Sequence, residues 1–361
     1  MIRATFVLEQ HIGHRTFAQN LHRFIAPRSD LQCNWVDVTY EQPGTLWNLL
    51  PLPEKVRGPL NGRSQIHHGL HQHPTDVAIF NTQVPAALAG KLASRQPSFI
   101  CTDITPRQYD EMAEHYHHTA DADGLVSQMK HRLNQRLFQS ATRLLPWSSW
   151  VADSLVADYG ADPSKITVLP PGVDLDVWQP QPHPSQPGPL HILFVGGDFY
   201  RKGGETLLEA FKTLPEGTAV LHLVTRSEIP SSENVRVYGN MQPNTPELLA
   251  LYAQADVFVL PTRAEAFGIA AVEAAASGLP VIATRVGGLV DIVLEGQTGF
   301  LLPPNDVLSL RDRLCLLAQE PARRRQMGLA ARQHAENQFD ARRNAEKLVA
   351  MIVETAVGAK A

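Results

Sequence analysis

Long apolar runs are absent from this chain of 361 residues, as are cysteine pairs, a strong excess of one charge, internal repeats and low-complexity tails. No stretch approaches the roughly 18 to 20 apolar residues that a membrane-spanning helix needs. Even the Ala-rich segment 264–280 is interrupted by Glu273 and Pro280. Cysteine occurs three times, at Cys33, Cys101 and Cys315, isolated and without a C-x-x-C pair, which excludes a disulfide framework and a cysteine-based zinc site. These are expected to be buried thiols. With 36 acidic against 32 basic residues the net charge is -4, which removes nucleic acid as a bulk partner. The opening "MIRATFVLEQ" lacks the small-residue cleavage site of a signal peptide and reads as a first strand, so a cytosolic protein is expected.

What is present is alternation. Short β-branched runs alternate with amphipathic stretches in both halves, the pattern of βαβ units that build parallel sheets, so the fold class is α/β. The length suggests two domains with a cleft between them. The first half offers strands near residues 2–8, 33–38, 77–81 and 98–101, with helices near 16–25 and 127–140. The second half restarts with a strand at 190–197, a helix at 204–214, a strand at 218–225, a helix at 244–255 and a strand at 256–262. Residues 168–190 are too rich in proline and glycine for a regular element and read as a linker, with the boundary near residue 175. The expected domains are therefore 1–170 and 171–337, with a helix near 338–361 that either finishes the second or packs back on the first.

Open parallel sheets bind ligands beyond the carboxyl ends of their strands. In "VGGDFYRKGGETLLEA" (195–210), Gly196 and Gly197 follow a strand and open a helix, where free N–H groups and the helix dipole favour an anion. Arg201 and Lys202 add two cations, enough for a diphosphate. The spacing is neither G-x-G-x-x-G nor a P-loop. In "PTRAEAFGIAAVEAAASGLP" (261–280) a loop carrying Glu265 leads into a helix from about Ile269 to Ser277, apolar except at Glu273 and Ser277. Such a helix is expected to be buried, and a buried carboxylate without partners costs several kcal/mol. Glu273 is therefore expected to take ligand hydroxyls such as those of a ribose. Glu265 would take those of a second group, while Phe267, Gly268 and Ile269 offer amides at the helix mouth.

These motifs, with "WSSWVADSLVADYGADPSKITVLPPGVDLDVW" (147–178) and "GLPVIATRVGG" (278–288), resemble the retaining family-4 glycosyltransferases of the GT-B fold, two Rossmann-like domains facing a central cleft. The resemblance spans about two thirds of the chain. It implies a nucleotide-diphosphate sugar donor on the second domain, an acceptor on the first and no metal. It further implies that Glu273 holds the donor ribose, Glu265 the sugar, and Arg201 and Lys202 the diphosphate.

In the first domain, "LEQHIGHRTFAQNL" (8–21) has Gly13 as its one glycine, the one residue there able to bring backbone near a donor phosphate, where family members usually have more. His11 and His14 flank it. Asp103, in "FICTDITPRQYDEM" (99–112), stands where many relatives carry a histidine, and is read either as a sugar-contacting group or as a helix cap. The clusters "HHGLHQH" (67–73) and "HYHH" (115–118) lack a regularly placed acid or cysteine, so solvation is preferred to a metal site. D-x-D sequences occur at 121–123 and 174–176, but Asp174 and Asp176 lie in the linker and not after a strand, and Arg201 and Lys202 already supply the counter-charge of a metal. Segments 46–63 and 129–145 mix basic and apolar residues and read as packed elements, with peripheral contact to an anionic membrane as the alternative. The expected function is transfer of a sugar to an acceptor hydroxyl. An epimerase or hydrolase of the same fold, or a non-catalytic sugar-nucleotide binder, are the alternatives.

Overall fold

A computed structural model describes residues 1–10, 12–41, 52–116, 124–181, 188–239 and 241–359. The chain divides into two compact units. The first comprises Met1–Glu111, Ala120–Pro171 and Ala341–Ala361, the second Met112–Thr119 and Gly172–Asp340.

The first unit runs β1 (Ile2–Glu9), α1 (Ile12–Ile25), β2 (Leu31–Val38), α2 (Glu54–Gln72), β3 (Val77–Asn81), α3 (Gln83–Ala89), β4 (Ser98–Thr102), α4 (Pro106–Glu111), α5 (Leu125–Ser140), β5 (Arg143–Pro146) and α6 (Ser149–Ala157). Its five strands pair in parallel in the order β2-β1-β3-β4-β5. Every residue of β3 and β4 is buried, as expected of strands covered by helices on both faces. Phe80, Ile100, Phe138, Leu144, Leu155 and Tyr159 form part of one core cluster.

The second unit contains β6 (Leu190–Val195), α7 (Gly204–Lys212), β7 (Ala219–Val224), β8 (Val235–Tyr238), α8 (Pro246–Gln254), β9 (Val257–Leu260), α9 (Ile269–Ala276), β10 (Val281–Thr284), α10 (Leu289–Ile292), β11 (Gly299–Leu302), α11 (Val307–Gln319) and α12 (Pro321–Gln338). Its strand order is β11-β10-β9-β6-β7-β8, all parallel. Read from β8, this is the third, second, first, fourth, fifth and sixth strand of the unit, the order of doubly wound nucleotide-binding sheets. The last helix, α13 (Ala341–Gly358), belongs to the first unit. It buries Leu348, Val349 and Ile352. Its Asn344 amide donates to the Pro170 carbonyl at 3.1 Å.

Several expectations need correction. The basic run 129–145 is two elements: α5 stops at Ser140, and residues 143–146 join the sheet beside β4. Four apolar residues do not distinguish a helix end from a buried strand by periodicity. The same brevity hid β8, β10 and β11. In α2, Pro59 together with glycines at 58, 62 and 69 masked a helical pattern. Of the three thiols only Cys101 is fully buried; Cys33 and Cys315 are half-buried. Among the described residues no helix is long and apolar enough to cross a membrane.

Replacing Leu348, which is 1% exposed, by Ala removes apolar contact from α13. Chemical denaturation should show the protein destabilised by about 2–5 kcal/mol.

Candidate active site

The order of the second sheet reverses between β6 and β9, and loops leaving those two strands diverge to opposite sides, which opens a crevice at their carboxyl ends. The Gly196–Gly197 turn leaves β6, and the loop of residues 261–268 leaves β9. The two loops are stitched together. The Arg201 carbonyl accepts from the Arg263 amide at 2.9 Å and from the Thr262 hydroxyl at 3.1 Å. The Arg201 guanidinium donates to the Ala264 carbonyl at 2.9 Å, lies 3.4 Å from the Asp198 carboxylate and stacks over the Tyr116 ring at 4.6 Å. Lys202 Nζ pairs with Glu265 Oε2.

Both members of this last pair are largely out of water: the Lys202 side chain is 15% exposed and that of Glu265 10%. Burial pulls the Lys202 ammonium below its ordinary value, with Glu265 pulling back the other way. The 261–268 loop is clasped from behind by Gly287 and Gly288. The Gly288 amide donates to the Ala266 carbonyl at 3.0 Å. Gly287 has a φ of +54°, and a Cβ there would overlap the Glu265 carbonyl oxygen. Only glycine fits.

Glycine is also the residue ahead of α9, at 268, and the Ala271 amide is the first to close onto its carbonyl, at 2.9 Å. The amides of Phe267, Gly268 and Ile269 precede that donor, at the positive end of the helix. The Phe267 ring itself is buried and packs edge-on against Phe339, 6.2 Å between centroids. As expected, α9 is buried around Glu273.

Glu273, expected to find its partner in a ligand, has one within the protein, on α8. The Tyr252 hydroxyl donates to Glu273 Oε2 at 3.1 Å, its ring stacked on Phe258 and met edge-on by Trp178. Burial dominates nonetheless and raises the Glu273 carboxyl to about 8, against the opposing pull of the Tyr252 hydrogen bond. It is therefore protonated at neutral pH. Burial, then the facing carboxylate, lifts the Tyr252 phenol well above its usual range. Tyr252 was legible in principle: in "PELLALYAQ" it lies four residues after Leu248 on the apolar stripe, and a buried tyrosine hydroxyl requires a partner.

In the first unit the order reversal lies between β1 and β3. Gly13 is exposed in the first turn of α1. His14 Nε2 approaches Asp103 Oδ2 at 3.6 Å, and its ring packs tilted on Trp147 at 5.1 Å. The two residues suggested for the acceptor side thus meet, although 89 positions apart. Three polar groups missed by the sequence reading lie along the same edge. Glu9, at the end of β1, is buried and accepts from the Thr82 hydroxyl at 2.8 Å. Thr82 has a φ of +87°, rare for a residue with a branched side chain. Asn81 is fully buried, and neither its amide nitrogen nor its oxygen has a partner among the described residues.

Other sequence features stay apart from these sites. The 67–73 histidines lie at the end of α2 and just beyond it, and among the described residues no three metal-binding side chains converge. Asp174 Oδ1 accepts from the Asp176 amide at 3.0 Å, a turn in the linker. His11, the remainder of the 115–118 cluster after Tyr116, the 121–123 acids and residues 46–51 lie outside the described residues.

Two doubly wound parallel sheets, with a basic loop and two buried glutamates at the switch point of the second, define the GT-B class of glycosyltransferase. Family models match in succession, Glycosyltransferase Family 4 over residues 17–177 and Glycosyl transferases group 1 over residues 179–334. The chain belongs to the family-4 glycosyltransferases. In fold it is similar to the sucrose-phosphate synthase of Thermosynechococcus elongatus, with a TM-score of 0.79, 18% identity and 100% of both chains covered. It is also similar to Anabaena HepE in complex with UDP-glucose, with a TM-score of 0.72, 16% identity, and 98% of this chain and 100% of that one covered. In sequence, the D-inositol 3-phosphate glycosyltransferase of Pseudarthrobacter chlorophenolicus is 35% identical over 224 residues, 56% of this chain and 53% of that protein. The glycogen synthase of Mycobacterium tuberculosis is 31% identical over 243 residues, 62% and 56% respectively. The chain spans about half the length of the curated relatives it matches.

Folding raises the Glu273 carboxyl from 4.5 to about 8, so between those values the folded chain holds a proton that the unfolded chain releases. The stability tied to this group is complete below pH about 4.5 and is lost as pH rises toward 8. Denaturation midpoints at pH 5, 6.5 and 8 should fall for the ligand-free protein, by an amount on the order of a few kcal/mol. Glu273→Gln should flatten that fall.

Proposed function

We propose that the chain is a retaining glycosyltransferase that moves a sugar from a nucleotide-diphosphate donor to an acceptor hydroxyl. The observation that carries this reading is the convergence of Arg201, Lys202, Glu265 and the mouth of α9 at the switch point of the second sheet. The second unit then binds the donor and the first the acceptor.

In the reaction the bond between the anomeric carbon and the diphosphate oxygen breaks, the diphosphate leaves with the electron pair, and the acceptor oxygen bonds to carbon as its proton passes to the departing diphosphate or to solvent. Charge thus builds on the diphosphate in the transition state. Lys202, Arg201 and the amides of Gly197 and of residues 267–269 stabilise it there more than in the bound substrate, whereas the Gly196 amide, expected to serve an anion, is taken up by the Val224 carbonyl at 2.9 Å. These cations supply the counter-charge that a divalent metal supplies elsewhere, which is the basis for proposing metal-independent transfer. Glu265, released from Lys202 as the diphosphate takes the ammonium, holds sugar hydroxyls. Glu273 exchanges its Tyr252 hydrogen bond for, or shares it with, the donor ribose. His14 and Asp103 are the titratable pair on the acceptor side. The names of the relatives point to unlike acceptors, an inositol phosphate and glycogen, so neither is carried over to this chain.

A cytosolic location with peripheral membrane contact belongs to the same reading. The support is α5, which carries exposed Leu125, Val126, Met129 and Leu133 beside Lys130, Arg132 and Arg136 and has no acidic residue. An exposed apolar stripe edged by cations fits an anionic bilayer. Sedimentation with phosphatidylglycerol vesicles, and not with phosphatidylcholine vesicles, is the expected result, abolished in Met129→Glu/Leu133→Glu.

Incubation with a panel of nucleotide sugars, separating free nucleotide, altered donor and glycosylated product, tests the activity. Wild type should release nucleotide and glycosylate an acceptor. Lys202→Ala and Glu273→Ala should each lower turnover about a hundred- to a thousandfold while circular dichroism stays unchanged. Near-normal transfer by both variants, or an epimerised donor as the sole product, contradicts the reading.

A further inference from the structure

Among the described residues four cations lie about the turn after β6, and three of them are already engaged. Lys202 is held by Glu265, Arg201 by the Ala264 carbonyl, Asp198 and the Tyr116 ring, and Arg263 by Glu205, Asn305 and the Tyr200 carbonyl. The fourth is Arg226, on the loop that follows the neighbouring strand β7. The two loops are joined where the Arg226 amide meets the Gly197 carbonyl at 3.4 Å, and where the Phe199 amide meets Ser227 Oγ at the same distance.

The Arg226 guanidinium lies on the Gly197 backbone. A Cβ at Gly197 would stand 2.8 Å from one terminal nitrogen and 2.9 Å from Nε. The residue is exposed, and among the described residues its guanidinium makes no hydrogen bond or ion pair, Glu228 two residues on included. An exposed guanidinium laid against the glycine of a switch-point turn, with no carboxylate upon it, is placed to meet phosphate oxygens that approach that turn. Gly197 makes that approach available, since any larger residue there would push the guanidinium off the turn.

We infer that Arg226 is the group that first captures the diphosphate of the donor, before Lys202 and Arg201 are released to it. The inference rests on the donor reading above and adds to it an order of events. An incoming diphosphate meets Arg226 at no cost in broken ion pairs, whereas contact with Lys202 requires the buried pair with Glu265 to open first. Arg226 is thus a binding residue for the ground state, and its loss should appear mainly in donor affinity and in KM. Lys202 acts on the transition state, and its loss should appear in kcat.

The test is binding of UDP, ADP and GDP, and of the matching nucleosides, to wild type, Arg226→Ala, Arg226→Lys and Gly197→Ala by isothermal titration, with stopped-flow association rates. Arg226→Ala should weaken the nucleoside diphosphate that wild type binds by about 10- to 100-fold. It should slow association and leave nucleoside affinity within about twofold of wild type. Arg226→Lys should recover part of the loss, because the charge is kept and the fork is not. Gly197→Ala, which displaces the guanidinium without removing it, should behave like Arg226→Ala. In turnover assays, Arg226→Ala should raise KM for the donor with kcat nearly unchanged. If Arg226→Ala binds the diphosphate as wild type does, or loses nucleoside and diphosphate equally, the inference is wrong while the donor reading stands. If wild type binds no nucleoside diphosphate at all, both fall together.

Discussion

The buried ion pair of Lys202 and Glu265 sets the terms for the rest of the second unit. Neither charge is tolerable alone at that depth, because removing one partner of a buried pair costs several kcal/mol more than the pair itself contributes. The two loops that carry them are therefore tied across the switch point, and Gly287 behind them must be glycine so that the 261–268 loop can come close enough. A ligand that replaces this pair has to bring both halves of the replacement, an anion for the lysine and hydroxyl donors for the glutamate. In the proposed reaction a nucleotide-diphosphate sugar has both, and a bare phosphate or a free sugar has only one.

Much of this arrangement was legible in the amino-acid sequence, since βαβ alternation, the linker composition and the motifs around residues 196–202 and 265–273 depend on local chemistry. The charged residues were placed on the right loops because the carboxyl-end rule for parallel sheets needs only the strand positions. What failed was pairing. Arg201 and Lys202 were read as waiting for a ligand, whereas both turn toward the neighbouring loop, 63 residues away in the case of Lys202. Glu273 was read as unsatisfied because its partner, Tyr252, stands on a different helix. Partners of long separation leave no periodic trace. Arg226 carries no motif of its own in the sequence, and only the pairing of β7 with β6 brings the loop after β7 to the same sheet edge.

The two sheets differ in winding. The first runs β2-β1-β3-β4-β5 and the second β11-β10-β9-β6-β7-β8, so their reversal points fall after one flanking strand in the first and after two in the second. The second crevice is accordingly bordered by two loops from β6 and β7 on one side, and these carry the Gly196–Gly197 turn and Arg226. In the first unit the corresponding position has a single neighbouring strand, β2. The polar groups described there include Glu9 of β1, Asn81 of β3, Asp103 just past β4, His14 of α1 and Arg15, whose Nε donates to the Gln10 carbonyl at 2.9 Å. The two edges thus present different polar groups.

The return of α13 to the first unit has a consequence for synthesis. The helix α13 packs on α1 but follows all of the second unit in the sequence, so the second unit's residues through Asp340 are synthesised before the helix that covers α1. Until residues 341–358 have been made, the face of α1 that α13 buries has no cover from it, whatever else of the first unit is already present.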